Sequence, residues 1–338
     1  MILAPMEALA ATEVPAGPEW QYEPKWDGFR CIASRDGDAI ELQSKSGQPL
    51  ARYFPDVVEA LAALPVKRFI LDGELVIPVE GDLSFNELQL RLHPAASRVN
   101  MLAKAHPAMY LVFDLLGDER GKSLIDQPLR ERRSRLEAFA ARHFDDAGRV
   151  RLSPATTSLK DARRWLRTMG GGLDGIIAKN LEARYESGER TGSMQRIKDL
   201  RTADCVVGGF RYASKGRVVG SLLLGLYGED GLLHHVGFTS SIAATERREL
   251  TKRLEALRRT PGFTGRSPGG PSRWSTERSG EFEPLAPELV VEVQYDHFTG
   301  GRFRHGTKLL RWRPDKAPRQ CLMSQVEHES RSPLRLIA

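Results

Sequence analysis

Cysteine is scarce: Cys31, Cys205 and Cys321 stand far apart, are odd in number and include no Cys-x-x-Cys pair. That excludes a disulfide framework, offers no zinc-ligand spacing, and fits a reducing cytosol. No run of 18 apolar residues occurs, so no transmembrane helix is expected. Residues 1–7 lack a basic n-region and an apolar h-region, so they do not read as a signal peptide. No segment repeats at a fixed period. What is present is a chain of 338 residues, 41% apolar, long enough for about two domains with their own cores. Its net charge of +6 is unevenly spread. Residues 201–338 hold 22 Lys and Arg against 15 Asp and Glu, whereas residues 1–200 hold 28 against 29. Such asymmetry points to nucleic acid or an anionic surface, or else to a basic surface without a partner.

The stretch Glu23-Pro24-Lys25-Trp26-Asp27-Gly28-Phe29-Arg30 organises the first part. Pro24 biases Glu23 toward an extended conformation, and Asp27-Gly28 is a turn signal. Lys25 is therefore expected at a strand end beside a tight turn, either exposed or aimed at a ligand. Residues 1–20 read as an extended lead-in without periodicity. Strands are expected at 21–25, 29–34, 39–44, 69–78 and 109–116, and helices at 57–64, 85–92, 129–143 and 159–169. The helix at 129–143 turns Leu129, Leu136, Phe139 and Ala140 inward. Glycines at 170–172 lead into a short strand, and 185–195 reads as a polar loop. From residue 201, strand patterns at 203–212, 220–227, 232–239 and 289–295 surround one amphipathic helix, 245–259, as in a small β-barrel. Residues 261–280 read as a mobile loop.

Charged residues recur at strand ends: Lys25, Glu74, Asp174 and Lys198. The 69–78 strand carries Asp72 and Glu74, and carboxylates in an apolar strand are costly unless paired or cation-bound. A lysine can act as a covalent nucleophile once neutral, against a free pKa near 10.4. Glu74 and Asp174 offer hard oxygen ligands for Mg²⁺. Arg30, Lys45, Arg190, Arg196 and Lys198 can hold phosphates. Phe113 can stack on a base, although strand aromatics are more often packing residues, and the two carboxylates also fit plain surface positions. Residues 301–308 place Thr307 before Lys308, the wrong order for a phosphate-binding P-loop, and the segment is too polar for a strand-to-helix turn.

Taken together, the motifs resemble those of the covalent nucleotidyltransferases, specifically the bacterial ATP-dependent DNA ligases of the LigC/LigD type. Lys25-Trp26-Asp27-Gly28-Phe29-Arg30 is similar to the nucleophile motif, and Ser44-Lys45-Ser46-Gly47, Leu71-Asp72-Gly73-Glu74 and Val112-Phe113-Asp114 to the next three. Asp174-Gly175-Ile176-Ile177-Ala178-Lys179, Arg196-Ile197-Lys198 and Arg313-Pro314-Asp315-Lys316 complete an ordered series of seven. The family usually has arginine at the place of Lys45, glutamate at Asp174 and lysine at Arg196; charge is kept, reach and fork geometry are not.

The resemblance implies an α+β chain: an adenylation (nucleotidyltransferase) domain at 1–200 and an oligonucleotide-binding (OB-fold) β-barrel domain at 201–338, a stand-alone ligase core. It implies ATP and Mg²⁺ or Mn²⁺ as cofactors, with Glu74 and Asp174 as metal ligands. Lys25 would form lysyl-AMP, pass AMP to the 5′-phosphate of a nick in duplex DNA, and let the 3′-hydroxyl displace it. Glu23 and Phe113 would contact adenine, and Arg30 and Glu74 the ribose. Lys45, Arg190, Arg196 and Lys198 would serve the phosphates, and Arg313, Asp315 and Lys316 would orient the pyrophosphate. A monomer in the cytoplasm at the nucleoid is expected, with no membrane association and with Ku or a repair polymerase as partners. The alternatives are an RNA ligase or capping-type enzyme, or an inactive DNA-binding OB protein.

Overall fold

The computed structural model describes residues 3–145, 147–168, 173–269, 280–327 and 332–337. The chain divides into two compact units, Met1–Asp199 with Ser330–Ala338, and Leu200–Glu329. The boundary expected after residue 200 falls between Asp199 and Leu200, but the last residues, expected in the second domain, group with the first. Leu336 and Ile337 pack there with Trp26, Val76, Leu111 and Leu173, an apolar contact beyond the reach of local sequence patterns.

The first unit holds two sheets. One runs β1(Glu7–Ala11), β11(Arg190–Ile197), β10(Leu173–Asn180), β2(Trp20–Trp26) in spatial order. The other runs β4(Ala39–Ser44), β3(Phe29–Asp36), β5(Arg68–Val76), β8(Met109–Gly117), β9(Val150–Leu152). A two-residue ribbon, β6(Pro78–Val79) and β7(Asp82–Leu83), lies off both. Helices α1(Pro55–Ala63), α2(Phe85–Arg91), α3(Ala96–Ala105), α4(Leu129–His143) and α5(Leu159–Thr168) complete it. Leu129, Leu136, Phe139 and Ala140 of α4 are buried as expected, and so are Arg132 and Arg133. Arg132 is tolerated inside because Asp114 of β8 accepts from it at 2.9 and 3.0 Å.

Three expectations change. Residues 185–195 are not all loop, because β11 pairs in parallel with β1 and antiparallel with β10. Its polar sequence hid it: backbone pairing on both sides supplies the strand, while Arg190, Met194 and Arg196 line a cleft. The lead-in contains β1, whose partner lies some 180 residues away. Helix α3 was not anticipated; Val99 and Ala103 are its buried residues, too few for a clear stripe. Residues 169–172, including the glycine lead-in, lie outside the described residues.

The second unit is an OB-fold domain. Its sheet orders β14(Leu233–Thr239), β13(Val219–Tyr227), β12(Arg201–Tyr212), β16(Val290–Tyr295), β19(Lys308–Trp312), with β15(Glu283–Pro284) also on β12. Every pairing is antiparallel. A parallel bridge between Thr239 and Thr307 links the end of β14 to the residue just before β19, joining the two ends of the sheet. Helix α6(Arg247–Ala256) buries Leu250 and Leu254. A short ribbon, β17(Phe298–Thr299) and β18(Arg302–Phe303), precedes β19, so the 301–308 segment opens a strand rather than a helix. Of the loop expected at 261–280, residues 270–279 lie outside the described residues, and Phe263 is buried.

Candidate active site

A cleft of about 1090 Å³ opens in the first unit and is lined from both of its sheets, slightly above the roughly 300–1,000 Å³ usual for small-molecule sites. Glu23 and Lys25 reach it from β2, Arg30 from β3 and Glu74 from β5. Phe113 joins from β8, Arg190 and Arg196 from β11, and Lys45 from the turn after β4.

Lys25 sits one residue before the end of β2, beside the Asp27-Gly28 turn. Its Nζ hydrogen-bonds Asp174 Oδ2, while Lys198 Nζ lies 2.9 Å from Asp174 Oδ1. A β-bulge brings Asp174 there. Leu173 pairs with Trp26 and Ile176 with Pro24, so β10 carries an extra residue between them. Gly175 permits it, with φ +113° and a missing Cβ that would stand 2.1 Å from the Ile197 carbonyl oxygen. Burial works against ionisation of Asp174, but the two ammonium groups hold its pKa below the ordinary value.

Across the cleft, Arg30 and Glu74 are direct cross-strand partners on β3 and β5. Burial pushes the Glu74 carboxyl up to about 7, against the pull of Arg30 and Lys25. Gly28 lets the turn approach β5 closely: a Cβ there would meet the Leu75 carbonyl oxygen at 2.2 Å. Arg30 Nε and Nη2 donate to Asp72 at 2.6 and 2.7 Å, and Tyr185 Oη donates to the same carboxylate at 2.6 Å.

Phe113 lines the cleft but is only 6% exposed. The Arg30 guanidinium lies 4.4 Å from its ring centre, and Lys179 Nζ 4.5 Å. Glu23 is buried and fully engaged, accepting from Lys179 at 2.8 Å and Gln21 at 2.8 Å. Lys45 pairs with Glu7 at 3.0 Å, and Arg190 bonds the other oxygen of Glu7. Arg196 is exposed at the cleft and makes no ion pair among the described residues. Arg313, Asp315 and Lys316 belong to the second unit, where Arg313 and Lys316 meet on Asp204.

Sequence reasoning thus reached the cleft residues and missed those that fix them: Glu7, Gln21, Asp72, Lys179, Tyr185 and, in the second unit, Asp204. Asp72 and Lys179 did leave a trace, both standing inside the ordered motifs and Asp72 also as a carboxylate within an apolar strand. The others lie at ordinary polar positions. No cluster of three or more potential His, Cys, Asp or Glu metal ligands exists among the described residues. Glu74 and Asp174 are oxygen donors of the kind Mg²⁺ takes together with phosphate oxygens, and in this structure Asp174 has Lys25 on one oxygen and Lys198 on the other.

A strand-end lysine paired to a carboxylate, in a cleft rimmed by cations and backed by an aromatic ring, defines a nucleotide-binding site with a candidate amine nucleophile. Residues 4–198 match the family described as the ATP dependent DNA ligase domain, and residues 215–316 its C terminal region. The chain belongs to the ATP-dependent DNA ligase family. It is 44% identical to DNA ligase C2 of Mycolicibacterium smegmatis and 43% to DNA ligase C of Mycobacterium tuberculosis, covering 96% of this chain and 94% of each relative. It is 31% identical to the multifunctional non-homologous end joining protein LigD of Mycobacterium bovis, over 94% of this chain and 39% of that protein. Among solved structures, a Lig E DNA ligase aligns with TM-score 0.56 at 18% identity, over 90% of this chain and 98% of that one, a likeness of fold. No described helix is long and apolar enough to cross a membrane.

Proposed function

We propose that the protein seals nicks in duplex DNA at the expense of ATP, with Lys25 as the covalent nucleophile. The contact of Lys25 with Asp174 supports the proposal, because it fixes a cleft-lining amine at a strand end beside the Asp27-Gly28 turn, whereas Lys179, the other strand-end amine of the cleft, is paired with the buried Glu23. Lys25 sheds its proton and attacks the α-phosphorus of ATP. The bond to the β-phosphate breaks, pyrophosphate leaves, and lysyl-AMP remains. AMP then passes to the 5′-phosphate at a nick, and the 3′-hydroxyl displaces it. Arg30, Lys45, Arg190, Arg196 and Lys198 supply cations for the phosphates, so positioning and electrostatics do most of the catalysis. A divalent cation held by Glu74 and Asp174 would supply further charge neutralisation on those phosphates. Phe113 stacks on adenine once Arg30 or Lys179 gives way over its ring. Relatives named DNA ligases favour this function over an RNA ligase or capping enzyme.

The basic excess after residue 200 serves the duplex through phosphates, without base reading. End joining is one setting for the activity, since the LigD relative carries that name; Ku or a polymerase would then be the partner. Labelled ATP with Mg²⁺ should leave an acid-labile label on the wild type and none on Lys25→Ala, and only the wild type should seal nicked DNA. A label that survives acid, or that appears on Lys25→Ala, overturns the proposal.

A further inference from the structure

We infer that Arg266 and Arg302, together with His235, form a seat for a backbone phosphate of the DNA duplex, built wholly within the second unit. The duplex as occupant rests on the ligase function proposed above. Residues 301–308 fail as a P-loop, yet their first side chain, Arg302, lies on the β17–β18 ribbon opposite Thr299. The Arg266 guanidinium reaches the turn just before it, donating to the carbonyls of Gly300 and Gly301 at 3.2 and 3.1 Å. A Cβ at Gly301 would stand 2.6 Å from that guanidinium, so glycine leaves the room it occupies. Arg266 is also fixed through its main chain. Its N–H donates to His234 Nδ1 at 3.1 Å, and its carbonyl accepts from the His235 N–H at 2.8 Å.

Two deficits meet here. Neither guanidinium pairs with a carboxylate among the described residues, and Asp230 is engaged by His234 at 3.0 Å. Burial and the like charge of Arg266 hold the Arg302 guanidinium below its ordinary pKa. Cations gathered without a counter-charge are costly unless an anion joins them. The second deficit is His235, 8% exposed, whose two ring nitrogens have no hydrogen-bond partner. Burial and the guanidiniums of Arg302, Arg211 and Arg266 push its pKa down to about 4, against the Gly237 main chain. The ring is therefore neutral and keeps one donor and one acceptor. A buried polar group without a partner calls for a bound water or ion. A hydrated phosphate answers both deficits, with counter-charge for the arginines and hydrogen bonds for the ring. The excess of cations after residue 200 favours a polyanion over a small free anion.

Binding of nicked duplex to the full chain, titrated with salt, tests the seat. Arg302→Gln should weaken binding about tenfold at about 50 mM salt and lower the slope of log affinity against log salt by about one, equally for two unrelated nick sequences. Arg302→Lys should regain part of the loss. Lysyl-AMP formation from ATP should be unchanged, because Arg302 lies outside the unit that holds the cleft. The melting temperature of Arg302→Gln should not fall, since a like charge is removed and no ion pair is lost; a lower one would reveal a structural role and overturn the inference. Unchanged affinity and slope overturn it as well. So does inorganic phosphate retained by the wild type and lost from Arg302→Gln while both bind duplex equally, because the seat would then belong to a free anion. A wild type that binds nicked duplex but forms no lysyl-AMP would instead defeat the Lys25 function and leave this site standing.

Discussion

Replacing Asp72 by asparagine removes one charge from a pair that is buried on the carboxylate side. Asp72 is wholly buried, and the Arg30 side chain is 21% exposed. Asparagine still accepts from Tyr185 but turns an N–H toward Arg30, donor against donor. Breaking one partner of a buried pair costs about 3–5 kcal/mol. The partial exposure of Arg30 argues for the lower end, about 3 kcal/mol. For a domain of this size that lowers Tm by about 6–12 °C. Because Arg30 lines the cleft as one of the cations proposed for the phosphates, ATP affinity should fall by about tenfold, equivalent to about 1.4 kcal/mol. Calorimetry follows the first quantity and lysyl-AMP formation against ATP concentration the second. In a double-mutant cycle, Arg30→Met with Asp72→Asn should lose less than the sum of the singles by about 1–3 kcal/mol. A Tm within about 2 °C of wild type, or strict additivity, would show that the pair does not hold Arg30.

Three more outcomes follow from the same geometry. The Glu74 carboxyl titrates at about 7 in the folded protein, above an unfolded glutamate, so its contribution is present below pH 4.3 or so and is lost as pH rises through about 7. Relative to Glu74→Gln, the wild type should lose about 1–3 kcal/mol between about pH 5 and pH 8; parallel pH–stability curves would contradict this. Deleting residues 332–338 strips Leu336 and Ile337 from Trp26 and the Arg151 bond from the Ile337 carbonyl. About 2 kcal/mol, or roughly 4–8 °C in the first unit's melting, should go with them; an unchanged melt refutes that packing. Affinity for nicked duplex should drop steeply between about 50 and 200 mM salt, and a flat response would remove the phosphate-contact role of the basic second unit.

Much of the site was legible because its residues follow backbone signals. Pro24 and Asp27-Gly28 marked the strand end that presents Lys25, a strand-like run marked β3, and apolar runs marked β5 and β8, on which Arg30, Glu74 and Phe113 sit. Strand β11 was not legible, since its polar residues face a cleft and its stability comes from partners on both sides.

By itself the sequence determined the chemical repertoire: one lysine beside a turn, carboxylates at strand ends, a basic second part, and an ordered set of motifs. Tertiary structure alone decided which charges meet. Lys25 and Asp174 are 149 positions apart, Asp72 and Tyr185 113, and Asp204 and Lys316 112. Periodicity reports which face of an element is apolar, but nothing in it specifies the distant partner of a polar group. Those pairings arise only when sheet register, a bulge at Asp174 and burial bring the groups together.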